Sequence, residues 1–373
     1  MNIKRRLVVG RPNIGVDHTF RRYADKLWNT AWLTNNGPLV QELEQRVADY
    51  LGVKHCVAMS NGTVALELAI RANELEGEVI VPSMTFVATA HALQWQGITP
   101  VFADIDDQTL NICPERVEAA ITPETTGILG VHLYGRACNV DGLQEIAKTH
   151  RLKLMFDAAH AFGCEHAGQK IGNFGECEVF SFHATKIFNT FEGGAVTTND
   201  DGLARKLRLM RNFGFEGEDN VSYLGTNGKM TEVCAAMGLT NLDDLATFIE
   251  TNKTNYQAYL QALRSVEGID LVLYDEAQVN NFHYVIIRID QSKYGRTRDE
   301  LKTKLEENNV MARRYFHPGC HRLEPYKTLY PQFSGALPIT EAFSQEVLAL
   351  PNGTQLSSAE VGEICRIIRE FSR

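Results

Sequence analysis

Between residues 55 and 198 short apolar runs alternate with helical stretches, and this alternation restricts the possible folds more than any other feature. Runs at 55–59, 78–82, 101–103, 127–133, 152–156, 179–182 and 195–198 are of the kind buried on both faces of a sheet, and segments with helical spacing, such as 63–72 and 86–96, separate most of them. A chain that repeats strand and helix in this way is expected to build a mainly parallel α/β sheet. Ahead of it, Leu39, Leu43, Val47 and Leu51 fall at helical spacing between Pro38 and Gly52, which predicts a helix over 38–51. A mixed helix over 17–33 precedes it, broken by Asn35-Asn36-Gly37-Pro38.

Beyond Asp200 come a basic helix through Arg211 and a Gly-rich segment, 214–228, that reads as an extended loop of the sort that often carries function. Helices over 230–242 and 247–263 follow. Strand signals at 271–273 and 284–289, with helices over 299–308 and 358–371, then suggest an α+β layer. Because 373 residues exceed what one core usually organises, the expected division is a large domain with an N-terminal arm over 1–245 and a small C-terminal α+β domain over 246–373.

A formal net charge of −9 argues against general affinity for nucleic acid or an anionic membrane, while leaving room for a local basic pocket that holds a small anion. The basic residues at the start precede only a very short apolar run with no small-residue cleavage site, and no run of membrane-spanning length follows, so the expectation is a soluble cytoplasmic chain. The eight cysteines lack paired metal-ligand spacing and are expected to be reduced structural thiols. His160, Cys164 and His166 come nearest to a metal cluster but have no second cluster at finger-like spacing, so no metal is expected.

Ligands of open α/β sheets bind beyond the carboxyl ends of the strands, so the chemistry is sought where the runs stop. Lys186 lies five residues after Ser181 and shortly before Gly193 and Gly194, whose missing side chains permit a tight turn or close approach to a bound group. This placement fits a lysine held over a cofactor, and it also fits a solvated lysine after a strand. The run 152–156 ends in Asp157, followed by Ala-Ala-His160. A carboxylate leaving a buried strand needs a cation or several donors, and a protonated pyridine nitrogen is such a cation; capping of the next turn is the other reading. Ser60-Asn61-Gly62-Thr63 precedes a helix and offers either an anion site or a plain N-cap. Pro82-Ser83-Met84-Thr85-Phe86 places a ring where it can stack on a flat ligand or enter the core.

The order Asn-Gly-Thr-x-Ala-Leu, Pro-Ser-x-Thr-Phe-x-Ala-Thr, Asp-Ala-Ala-His and Ser-Phe-x-x-x-Lys followed by Glu-Gly-Gly-Ala resembles the DegT/DnrJ/EryC1/StrS family of pyridoxal-phosphate sugar aminotransferases, over nearly the whole chain. The resemblance implies a fold-type-I aminotransferase that works as a homodimer with active sites at the interface. It implies that Lys186 is the Schiff-base lysine, that Asp157 partners the pyridine nitrogen, and that Ser181, Gly62 and Thr63 bind the phosphate. Phe86 is then the stacking ring, and Asn227 reaches the phosphate of the other subunit. Two positions depart from the family pattern: Asn61 stands where Ser is usual, and His160 where Gln is frequent, which bears on how the cofactor's phenolic oxygen is held. One branch of the family is a dehydratase with histidine in place of the lysine; Lys186 favours transamination over that branch, Lys186 and Asp157 together speak against an inactive binding protein, and elimination or racemisation on the same fold stays open.

His-Ala-Thr-Lys186 with Asn-Thr-Phe-Glu-Gly-Gly, and the segment Ala312-Arg313-Arg314-Tyr315-Phe316-His317-Pro318-Gly319-Cys320-His321, look like the branch that acts on dTDP-4-dehydro-6-deoxy-D-glucose with L-glutamate as amino donor. Arg313 and Arg314 can attract a diphosphate, and Tyr315 and His321 can hydrogen-bond sugar hydroxyls; solvated arginines on a strand edge are the alternative.

Overall fold

The computed structural model describes residues 3–372. Its main sheet contains seven strands, β1 (His55–Met59), β2 (Glu78–Pro82), β3 (Thr99–Ala103), β4 (Thr125–Val131), β5 (Lys153–Asp157), β6 (Cys177–Ser181) and β7 (Gly194–Thr198). They lie in the order β1-β7-β6-β5-β4-β2-β3, and β7 alone runs against its neighbours. The apolar runs alternate little because both faces are covered, and the interior residues of every strand are buried. Register brings Met59, Gly194 and Ser181 level, and Val131, Asp157 and Val179 level, so the carboxyl ends of β1, β5 and β6 share one edge.

The helices follow from equally local causes. α1 (Asp17–Thr30) stops three residues short of the expected 33, because Ala31 turns left-handed at φ 52°. α2 (Pro38–Leu51) matches expectation: proline occupies its first turn, Gly52 at φ 67° closes it, and Leu39, Leu43, Val47 and Leu51 are buried. α3 (Gly62–Ala72) and α4 (Ala88–Gln94) follow β1 and β2, with α5 (Pro114–Ala119), α6 (Val140–His150) and α7 (Asp201–Met210) further on. α4 starts two residues later than the periodicity predicts, which leaves Phe86 on a turn, 58% exposed.

The largest difference from expectation lies in α8, a single helix from Glu232 to Leu263 where two were predicted. The polar residues that resemble a break face the N-terminal arm instead. Asn241 Oδ1 accepts from the Gly15 amide and Asp244 Oδ2 from the Val16 amide, both at 2.8 Å. At the other end of the interface, Glu232 accepts from the Leu39 and Val40 amides and so caps α2. The expected boundary at 245/246 falls inside α8. Its first half, with Ala235, Leu239 and Leu245, joins the core formed with α2, and its second half, with Tyr256, Tyr259 and Leu263, joins a second core.

That second core is closed by an antiparallel sheet of β8 (Ile269–Leu271), β9 (Val285–Ile289) and β10 (Val347–Leu350), and by α9 (Arg298–Glu307) and α11 (Ser358–Phe371), while α10 (Pro338–Glu346) packs Phe343 into a separate cluster with Tyr134 and Tyr284. Leu7–Val8 pairs in parallel with Val310–Met311, so the start of the described chain is attached to the C-terminal unit. Among the described residues, no helix is long and apolar enough to cross a membrane.

One buried ion pair links the two sides of the large unit. Arg211 binds Glu44 and also donates to the Ala58 carbonyl and Asn36 Oδ1, each at 2.8 Å, while Glu44 accepts from the Ala58 amide. The guanidinium and carboxylate are desolvated together, and these additional bonds are what make such a burial tolerable.

Candidate active site

The carboxyl edge of the sheet opens into a cavity of about 660 Å³. Its base is set by close backbone approach. A side chain on Gly194 would come within 2.7 Å of the Asn61 carbonyl carbon, and one on Gly62 within 3.0 Å of Ser181 Cβ, so the Asn61-Gly62 turn rests directly on β7 and β6. Asn61 Oδ1 accepts from the Val64 amide at 2.9 Å and caps α3, which leaves the Gly62 and Thr63 amides of the first turn without a partner among the described residues. Both readings of this segment therefore hold together: it is an N-cap, and it presents amides to the cavity at a helix N-terminus. The Ser181 hydroxyl lies in the same wall.

Lys186 sits one turn beyond β6, its amide bonded to the His183 carbonyl at 2.9 Å. Its side chain lines the cavity and has no hydrogen-bond or ion-pair partner among the described residues. Burial pushes the amine down to about 8, against the pull of the Asp157 charge. Asp157 terminates β5 and is 6% exposed. Its Oδ1 accepts from the Ala159 amide at 3.0 Å and its Oδ2 from the Thr89 hydroxyl at 2.8 Å. Thr85 lies 2.9 Å behind Thr89, so a short run of hydroxyls orients the carboxylate. Burial raises the carboxyl, and the two donors and the Lys186 charge oppose that rise.

His160 accepts from the Tyr134 amide through Nδ1 at 3.2 Å, which puts the proton of the neutral ring on Nε2. Burial, then the Lys186 charge, hold it neutral. The ring is parallel to Phe316 at 5.8 Å. Phe86 and Phe316 meet in the cavity wall as a tilted pair with centroids 6.3 Å apart, and Tyr315 completes that wall.

The structure thus brings together Gly62, Thr63, Phe86, Asp157, His160, Ser181, Lys186 and Tyr315. Four expected residues lie elsewhere. His321, expected on the sugar, is 1% exposed, with Nδ1 2.6 Å from Ser83 Oγ and Nε2 3.1 Å from Glu341; it ties the turn after β2 to α10 and has no open side for a substrate. Arg313 is exposed, and its backbone pairs with Ala349 outside the cavity lining. Arg314 reaches Asp299 at 3.3 Å. Asn227, on the long loop, is exposed and does not line the cavity of its own chain. Sequence reasoning passed over Thr89, His283, Tyr284 and Phe316. Thr89 stood in a quoted motif without a role, and the others flank C-terminal strands whose approach to the cavity no local pattern reveals.

A partnerless, half-buried lysine, a buried carboxylate in the cavity wall and helix-terminal amides beside a hydroxyl match the amine, pyridine and phosphate requirements of one cofactor. Fold and site define the class, a pyridoxal-phosphate-dependent aminotransferase on a mainly parallel α/β sheet. Residues 16–369 match the DegT/DnrJ/EryC1/StrS aminotransferase family, and the chain belongs to that family. It is 39% identical to a dTDP-4-amino-4,6-dideoxy-D-glucose transaminase from Shigella dysenteriae, over 98% of this chain and 99% of the relative. It is 36% identical to a GDP-perosamine synthase from Caulobacter vibrioides, over 96% of each. The crystal structure of DesI in the presence of its TDP-sugar product superposes with a TM-score of 0.95 at 45% identity, covering 100% of this chain and 94% of that one.

Proposed function

We propose that the chain transfers the amino group of L-glutamate to carbon 4 of dTDP-4-dehydro-6-deoxy-D-glucose, giving dTDP-4-amino-4,6-dideoxy-D-glucose and 2-oxoglutarate. The observation that carries the reaction class is the free Lys186 amine beside Asp157 at the edge of β5 and β6. Pyridoxal 5'-phosphate bound there supplies a sink for the electron pair left when the donor's α C–H bond breaks. Asp157 holds the proton on the ring nitrogen, and the Gly62 and Thr63 amides with Ser181 bind the phosphate. Phe86 would cover the ring, and the Nε2–H of His160 would serve as a donor to the phenolic oxygen where a glutamine amide is frequent in the family. Lys186 Nζ, unprotonated above about pH 8, takes the proton from the donor's α-carbon and later returns one to carbon 4 of the sugar.

The named relative from Shigella dysenteriae and the TDP-sugar-bound DesI support the dTDP sugar, and the aromatic wall of Phe86, Tyr315 and Phe316 suits the methyl group of a 6-deoxy sugar. A GDP-linked keto sugar is the second reading, favoured by the GDP-perosamine synthase relative. The protein is to be incubated with glutamate and each 4-keto and 3-keto dTDP, UDP and GDP sugar, and the new amine located by NMR. We expect amination at carbon 4 of the dTDP sugar; amination only at carbon 3, or a clear preference for another nucleotide, would rule the substrate out.

We further propose that two copies share each site. Lys186 is the only lysine or arginine among the described residues lining the cavity, where Asp157 and Glu192 also sit, yet the phosphate, the donor's carboxylates and the diphosphate are all anions. A second copy supplies the missing donors, Asn227 among them. The exposed apolar side chains of Leu224 on that loop, at 76%, and of Trp28 on α1, at 90%, suit contacts with a second copy. Mixing Asn227→Ala with Lys186→Ala chains creates heterodimers with one doubly damaged site and one intact site, so activity should return on mixing. Proven subunit exchange without recovery counts against sharing. Eight unpaired thiols suit a reducing compartment and support a cytoplasmic enzyme.

A further inference from the structure

His283 immediately precedes Tyr284 and β9, and its ring forms part of the cavity wall although it comes from the C-terminal unit. Its backbone amide is held by Asn281 Oδ1 at 3.0 Å. Nε2 lies 2.9 Å from the carbonyl of Thr185, the residue before Lys186. A carbonyl only accepts, so Nε2 carries the proton and Nδ1 is left as a lone-pair acceptor. That Nδ1 is buried and has no hydrogen-bond partner among the described residues. Burial and then the Lys186 charge push the ring down to about 4, so it stays neutral through the working range.

A buried acceptor without a donor is rare, and one at a functional site implies a donor that arrives during function. Several donors in the cavity have no partner among the described residues, including the Gly62 and Thr63 amides, the Nε2–H of His160 and the hydroxyls of Tyr284 and Tyr315; of these donors only the ε-amine of Lys186 belongs to the segment that His283 itself grips through the Thr185 carbonyl. His283 is anchored to the backbone one residue before this lysine, so the ring stays beside the segment from which the amine extends. The titratable groups that share the cavity are Asp157 from β5, His160 from the turn after it, His183 and Glu192 from the segment around Lys186, and Tyr284 and Tyr315 from the C-terminal unit. Asp157 is engaged by Thr89 and Ala159, His160 Nδ1 by Tyr134, and His183 by Thr185 at 2.7 Å.

We propose that Nδ1 of His283 is the acceptor that holds the ε-amine of Lys186 whenever that amine is not covalently engaged, which makes His283 a positioning residue for proton transfer. The proposal rests on the assignment of Lys186 made above. Accepting from an ammonium favours the protonated amine, so the contact raises the lysine's acid strength threshold and its removal lowers it.

The test uses full-length protein loaded with pyridoxamine 5'-phosphate, in which the lysine is free, with ¹³C at the lysine ε-carbons. The Lys186 signal is identified by its loss in Lys186→Arg, and its acid constant is read from the shift with pH. His283→Gln retains a donor for the Thr185 carbonyl and removes the acceptor; His283→Asn retains an acceptor near the Nδ1 position and gives up the bond to Thr185. We expect the Lys186 acid constant to increase on the order of tenfold in His283→Gln and by less than about twofold in His283→Asn. The reverse order, no change in either, or an equal change in both overturns the proposal. A measurement without variants accompanies it: the ¹⁵N shift of His283 Nδ1 should move to lower frequency when the pyridoxal-loaded protein is converted to the pyridoxamine form, and a constant shift counts against the contact. Borohydride trapping of the cofactor on Lys186 separates the two levels. Trapping that succeeds while the NMR order fails removes only His283; trapping that fails removes the lysine assignment itself.

Discussion

Lys186→Ala is expected to lower turnover with glutamate by at least about 10³-fold, because both the covalent attachment of the cofactor and the movement of the α-proton depend on one amine. The fall is measured in single-turnover reactions with cofactor in excess, so that weakened retention is separated from lost chemistry. An alanine variant that exchanges nitrogen at the parent rate would refute the role of the lysine. The same amine sets a pH dependence. With its protonation midpoint depressed by burial to about 8, the neutral form grows as pH rises through that value. The rate of α-proton removal should climb towards about pH 8 and level off above it. An ordinary lysine would leave the rate climbing for two further pH units.

Asp157→Asn should cost on the order of 10²–10³-fold in the same step, since the variant keeps the shape of the carboxylate and its bond to Thr89 but removes the charge that holds a proton on the pyridine nitrogen. The cofactor should remain bound, and its visible absorbance should titrate at lower pH than in the parent. Parent-like absorbance and rate in Asp157→Asn would show that the carboxylate only caps the turn that follows it, as its bond to the Ala159 amide allows.

Lys186, Asp157 and the Asn61-Gly62-Thr63 turn were readable from the sequence because each stands within a few residues of the end of an apolar run, and the end of a strand in a parallel sheet fixes where its next residues emerge. Phe86 lines the cavity by a different route from the one expected: the helix expected from residue 86 begins at Ala88, and the ring reaches the cavity because it rides on the turn. His321 misled because a polar residue in an aromatic segment looks the same whether its ring meets a substrate or, as here, Ser83 and Glu341. That distinction depends on a contact across 238 residues of chain, which no local pattern encodes. Likewise the helix expected to stop at 242 runs on, and the arm whose Val16 amide meets Asp244 just beyond that point lies 228 residues earlier.

α8 is one uninterrupted rod of 32 residues, roughly 48 Å at helical rise, and it enters both cores. A helix advances by about 100° per residue, so inserting or deleting a single residue in its middle would rotate everything downstream by that angle relative to the sheet. Tyr284, Tyr315 and Phe316 would then swing away from the lysine they enclose. The length of this helix is therefore a phase setting, and variation in the segment between the two cores is compatible with an assembled cavity only in steps close to whole turns.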